Sequence, residues 1–102
     1  MSGLVANRAR GQVIQSVGGI PRRLCLTLGA LAELETAFGL DGWEALSERL
    51  RILSAKDMLL VLAALLRGGG EDQAAVDLPN LSVDFREAAL AVAAAFMAAG
   101  EA

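Results

Sequence analysis

Apolar and polar residues change their rhythm along this chain. Around Val13, Gln15 and Val17, and again from Ile20 to Leu28, they alternate with a period of two, which predicts strands over 11–17 and 20–27. Between them lies Gly18-Gly19, a pair suited to the positive φ of a tight hairpin turn. This turn sets Val17 opposite Ile20, Gln15 opposite Arg22 and Val13 opposite Leu24. Ser16 then faces Pro21 in a non-hydrogen-bonded pair. The proline nitrogen points away from the first strand there, provided the outer side of the second strand is an edge. One face of the hairpin becomes Val13, Val17, Ile20, Leu24 and Leu26. The other, more polar, carries Ile14, Arg23 and Cys25.

From Leu28 the apolar period becomes helical, through Leu31, Leu34 and Phe38. Thr27 is placed to cap this helix (28–38) and Gly39 to close it in a left-handed conformation. A second helix (42–53), with Asp41 as its N-cap, carries the stripe Trp43, Leu46, Leu50 and Leu53, and Arg49 and Arg51 suit its C-terminal dipole. Ser54 followed by Asp57 forms a variant capping box opening a third helix (55–67), apolar nearly all round from Met58 to Leu66. Such a helix belongs in the middle of a core or at an oligomer interface. Gly68-Gly69-Gly70 ends it as a C-cap and hinge. A helical turn at 71–76 precedes Pro79, and Asn80 or Ser82 is expected to cap a last helix (82–99). Phe85, Ala89, Val92 and Phe96 are expected on one face of it. Ala88, Ala91, Ala95 and Ala99 form an adjacent flat strip for close helix approach. The predicted fold is a single α+β domain, mostly α. It consists of a flexible N-terminus (1–9), then one domain (10–102) in which a hairpin (10–28) is followed by about four short helices. Leu31, Leu34, Phe38, Leu46, Leu50, Leu59, Leu62 and Phe96 are its expected core.

Composition sharpens this picture. At 102 residues the chain suffices for one core. Apolar content is 55%, yet aromatics are only 4%, so the core is expected to be thin, with leucine packed against alanine. Apolar helical surface then exceeds what that core consumes, which points to protein partners or self-association. Charge is uneven. Residues 1–32 carry Arg8, Arg10, Arg22 and Arg23 and no acid, whereas residues 33–102 hold five basic residues against all twelve acids, a net of −7. A short basic start without nearby aromatics reads as a protein-facing arm, with a nucleic-acid module built on those four arginines as the rival.

Candidate chemistry is scarce. There is no histidine, which removes the commonest general base and metal ligand. Cys25 is the only cysteine, so no zinc cluster of thiolates can form, and it reads as a small packing residue. The triple glycine follows a helix and lacks the lysine of a phosphate loop. Glu33, Glu35, Asp41, Glu44 and Glu48 read as a solvated face. The first 20 residues lack a continuous apolar signal h-region, and the longest apolar run, Met58 to Leu66, is about half a membrane span, so the protein is expected in the cytoplasm. No catalytic, cofactor-binding or metal residue is expected, and neither nucleic acid, membrane nor small molecule is expected as a ligand. Adjacent strand residues point to opposite faces, so one of Arg22 and Arg23 must snorkel, pair or meet a partner. Arg22, Arg23, Ile14, Met58 and Phe96 are the candidate partner-binding residues.

The segments ANRARG, GGIPRRLCLTLGALAELETAFG and LSAKDMLLVLAALLRGGG together resemble a tail-protein family of bacterial gene transfer agents, grouped with tail tube proteins or tail assembly chaperones. The resemblance covers most of residues 6–70. It implies a non-enzymatic role in building a phage-like tail. As a chaperone, the protein would cover the tape measure protein and associate transiently with assembling tails. The alternative it implies is a structural tail component. A tube subunit is usually β-rich, and about two strands fit the chaperone better.

Overall fold

The computed structural model describes residues 4–101; residues 1–3, part of the stretch expected to be loose, and residue 102 lie outside it. The hairpin forms as expected, β1 (Gln12–Val17) pairing antiparallel with β2 (Ile20–Cys25) in the register Val13–Leu24, Gln15–Arg22 and Val17–Ile20. Gly18 and Gly19 both adopt positive φ (69° and 79°), which L side chains rarely adopt. Five helices follow: α1 (Leu28–Phe38), α2 (Trp43–Arg49), α3 (Ala55–Gly68), α4 (Asp72–Asp77) and α5 (Phe85–Glu101). The expected caps of α1 and α3 are present. Thr27 Oγ1 accepts from the Ala30 N–H, Gly39 sits at φ 66°, and Ser54 and Asp57 exchange both bonds of the capping box.

α3 is the hub. It packs on α1, α4, α5 and β2, and buries Met58, Val61, Leu62, Ala64, Leu65 and Leu66. α5 lies mainly along β1, and Val13, Val17 and Leu24 of the hairpin close the core above the two helices.

Several boundaries and faces differ from expectation. The helix expected over 42–53 ends at Arg49 and tightens into a 3-10 turn at Leu50–Ile52. Its N-cap is Gly42 at φ 88°, not Asp41, and the Gly42 N–H donates to Glu35 at 2.7 Å, which takes Glu35 out of a purely solvated role. α5 begins at Phe85 rather than 82, because Asp84 caps it by accepting the Glu87 N–H at 2.7 Å. Its alanine strip is buried at Ala88, Ala91 and Ala95 as expected, together with Val92 and Ala98, whereas Phe85, the first residue of the helix, is 61% exposed. Leu59, expected in the core, is 42% exposed; Leu31, Phe38, Leu50 and Phe96 are half-buried, and Leu34, Leu46 and Leu62 are buried. Ile20 is also exposed, and Cys25 on the polar face is buried.

That polar face is covered by residues 4–10, which end in a 3-10 turn (Arg8–Arg10). Arg23 Nε donates to the Val5 carbonyl at 2.9 Å, and the Cys25 thiol donates to the Arg10 carbonyl at 3.3 Å. The triple glycine ends α3 as expected, with Gly69 as its C-cap, and it also packs against the hairpin. A Cβ on Gly68 would lie 2.1 Å from the Cys25 carbonyl oxygen, and one on Gly69 2.1 Å from that of Arg23. The end of α3 is pressed against the outer edge of β2, where Glu71 also accepts the Arg23 N–H at 3.0 Å.

Leu34→Ala and Leu62→Ala should each lower stability by about 2–5 kcal/mol, and Leu59→Ala by under about 1 kcal/mol, in urea denaturation. In the same assay Gly69→Ala should destabilise by about 3 kcal/mol, since main chain must move. Gly29→Ala, in α1 with an open Cβ position, should be neutral or stabilise by roughly 0.5 kcal/mol.

Candidate protein-binding surfaces

Arg23, Arg49 and Arg67 are committed to internal contacts. Arg67 pairs with Glu33 on the surface, an exposed bridge of small energetic weight. Arg49 bonds Asp57 at 2.6 Å, donates to the Ile52 carbonyl, and lies 4.8 Å over the Phe38 ring. Arg23 fastens the N-terminal segment to the hairpin. Arg22 lies on the helix-facing side of β2, half-buried, and its Nε has no hydrogen-bond partner among the described residues.

The remaining partner-binding candidates fall in two places. Met58 and Phe96 share a shallow apolar depression of about 250 Å³ with Leu50, Leu53 and Val92. Met58 is its buried floor, at 8% exposure, and Phe96 is stacked on Trp43 with ring centroids 5.8 Å apart. Ile14 lines a separate groove of about 240 Å³, between β1, the N-terminal segment and Met97 of α5.

A further exposed apolar surface lies on α3, outside the residues expected to bind a partner. Leu59 and Leu60 stand 42% exposed on the outer side of α3. Leu59 forms a ridge between two grooves. One, about 320 Å³, runs toward α4 and includes Leu60, Ala63, Leu78 and Pro79. The other, about 220 Å³, runs toward α5 and includes Met58, Val83 and Phe85. The signal was in the sequence: a helix apolar on every side holds more apolar positions than its neighbours can cover.

Among the described residues no group of acids and thiols gathers to hold a metal ion, and no helix is long and apolar enough to cross a membrane. The Cys25 thiol is pushed above its ordinary value by burial, against a smaller opposing pull from Arg10, so it lacks thiolate character.

Comparison with known proteins then bears directly on function. Residues 10–100 match the model of a family described as phage tail tube protein, GTA-gp10. The chain belongs to this family. No curated protein and no solved structure matches it. Membership makes this a gene transfer agent or phage tail protein, and its partners are other tail proteins.

In this tail protein one carboxylate fixes the hairpin to the helices. Glu87, in the first turn of α5, accepts the Gly18 and Gly19 N–H groups at 3.0 Å each and the Ser16 hydroxyl at 2.6 Å. The Ser16 hydroxyl, then the two main-chain donors, hold the Glu87 carboxyl below its usual range. A depressed carboxylate stabilises the fold above the unfolded value, about 4.3, and loses that contribution as pH falls through the folded value. Glu87→Gln should therefore lower the urea midpoint most at neutral pH, with the gap to the parent closing in acid. An equal gap at pH 7 and in acid would remove the latch from the account.

Proposed function

We propose that this tail protein is a tail assembly chaperone, non-enzymatic and acting in the cytoplasm, which covers the tape measure protein before tube subunits polymerise. The observation that carries the reading is the apolar ridge and paired grooves of α3, where Leu59, Leu60 and Phe85 stand exposed around space for side chains of a partner. An amphipathic helix laid along α3 would bury its apolar face there. The strand content agrees. Two strands pair only with each other, whereas a ring-forming tube subunit needs a larger sheet. The family's description favours a second reading, in which the protein remains in the tail as a structural component. The nucleic-acid module, built on Arg8, Arg10, Arg22 and Arg23, has less support, because Arg23 is spent on the Val5 carbonyl.

Co-expression with the tape measure protein of the same gene cluster tests the reading. The full chain should be captured with the tape measure protein, and capture should survive added salt because apolar burial is not screened. Leu59→Asp with Leu60→Asp should abolish capture while leaving the folded spectrum intact, since both positions are partly solvent-exposed. Recovery of the protein in finished tails at tube stoichiometry would favour the structural reading. Tight, salt-sensitive DNA binding without tape-measure capture would favour the nucleic-acid module.

A further inference from the structure

The two edges of the hairpin are treated differently. In a two-residue hairpin, Val17 and Ile20 exchange main-chain bonds, and so do Gln15–Arg22 and Val13–Leu24 in this register. The outward groups of β2 then belong to Pro21, which has no N–H, and to Arg23 and Cys25. At Arg23 and Cys25 this edge is covered: Glu71 takes the Arg23 N–H, and Gly68 and Gly69 press on the two carbonyls. The outward groups of β1 belong to Gln12, Ile14 and Ser16. Gln12 gives its N–H to the Asn7 carbonyl at 3.1 Å. The main-chain N–H and C=O groups of Ile14 and Ser16 have no hydrogen bond among the described residues. They border the groove that Ala94 and Met97 line from α5.

We propose that this edge is filled by a second copy of the chain, β1 pairing antiparallel with β1 of its partner about a two-fold axis at Gln15. That register sets Ile14 opposite Ser16 and Ser16 opposite Ile14, so the four open groups on each copy satisfy one another and form a four-stranded sheet. The open groups end where self-pairing ends. One step further, Gln12 would meet Gly18 of the other copy, and both N–H groups are already held, by Asn7 and by Glu87. An axis at Ile14 or at Ser16 would instead draw on those occupied groups.

α5 points to the same occupant. It runs antiparallel to β1, Glu87 lying at Ser16 and Ala94 and Ala98 at Val13 to Gln15. Its outward stripe is apolar, with Leu90 59% and Met97 68% exposed and Ala93 and Ala94 between them. The stripe is symmetric about Ala93–Ala94. A two-fold axis near Gln15 brings Leu90 of one copy toward Met97 of the other, with alanines at the centre where the helices come closest. A free extended peptide would use the strand edge and leave this stripe bare, whereas a second copy covers both.

The test uses the full chain. Sedimentation equilibrium should show a dimer, and the Ile14 and Ser16 amides should exchange about tenfold more slowly in it than in the diluted monomer. Leu90→Glu and Met97→Glu, at exposed positions, should each give a folded monomer in which both amides exchange freely. Gln15→Cys should oxidise to a covalent dimer, because directly opposed non-hydrogen-bonded residues lie about 4.5 Å apart between Cα atoms. Gln12→Cys should not. A chain that stays monomeric at about 1 mM overturns the proposal. So does a dimer in which Ile14 and Ser16 remain unprotected and Leu90→Glu has no effect, since the contact would then lie on another face.

Discussion

The approach of α3 to the main chain of β2 is the constraint on which the rest of the structure depends. Carbonyl oxygens of Arg23 and Cys25 occupy the space where Cβ atoms of Gly69 and Gly68 would stand. Only a residue without a side chain allows this contact, so two glycines at the end of a leucine-rich helix decide where the sheet sits. With α3 held there, its apolar surface meets α1 on one side and α5 on another, and Leu24 descends into the shared core. The same contact covers one hairpin edge at Arg23 and Cys25, whereas the other is held, among the described residues, at Gln12 by Asn7.

Much of this was legible along the sequence, where the cause is local. Gly18-Gly19 between alternating runs set the hairpin register, because the turn leaves only one way to pair the flanking residues. Thr27, Gly39, Ser54 and Asp57 marked helix ends through bonds that span three or four residues. The failures are non-local. Phe85 continues the apolar face of α5 in the pattern, yet it stands at the start of the helix and is 61% exposed. α3 has no polar phase, so its period could not say that Leu59 and Leu60 face outward. Arg23 reads as an unpaired charge until the Val5 carbonyl, eighteen residues earlier, is folded onto it. The partner-binding candidates fared similarly: Met58 and Phe96 share one depression and Ile14 lines another groove, but the exposed Leu59 and Leu60 of α3 are not among them.

A protein of this composition presents its interactions as shape and apolar area. Arg23, Arg49 and Arg67 hold together its own segments, its one thiol donates to the Arg10 carbonyl, and Glu35, Asp84 and Glu87 serve as caps and latches. Membership of a tail-protein family fits that economy, since tails are built by proteins recognising one another in ordered copies. The ridge of α3 and the stripe of α5 are separate surfaces. The proposed client and the proposed second copy therefore do not compete, and two copies would present two ridges to one long partner.

The latch at the hairpin tip also sets an order of events during synthesis. Ser16 and its acceptor on Glu87 are 71 residues apart, and the Gly18 and Gly19 donors nearly as far. The hairpin strands thus wait for a helix synthesised much later. An isolated two-stranded hairpin is marginal in water, so the hairpin stays unlocked until α5 has emerged. Its docking onto α3 and α5 is then a late, long-range step, and the contact order it imposes slows a fold that its helices alone would complete quickly.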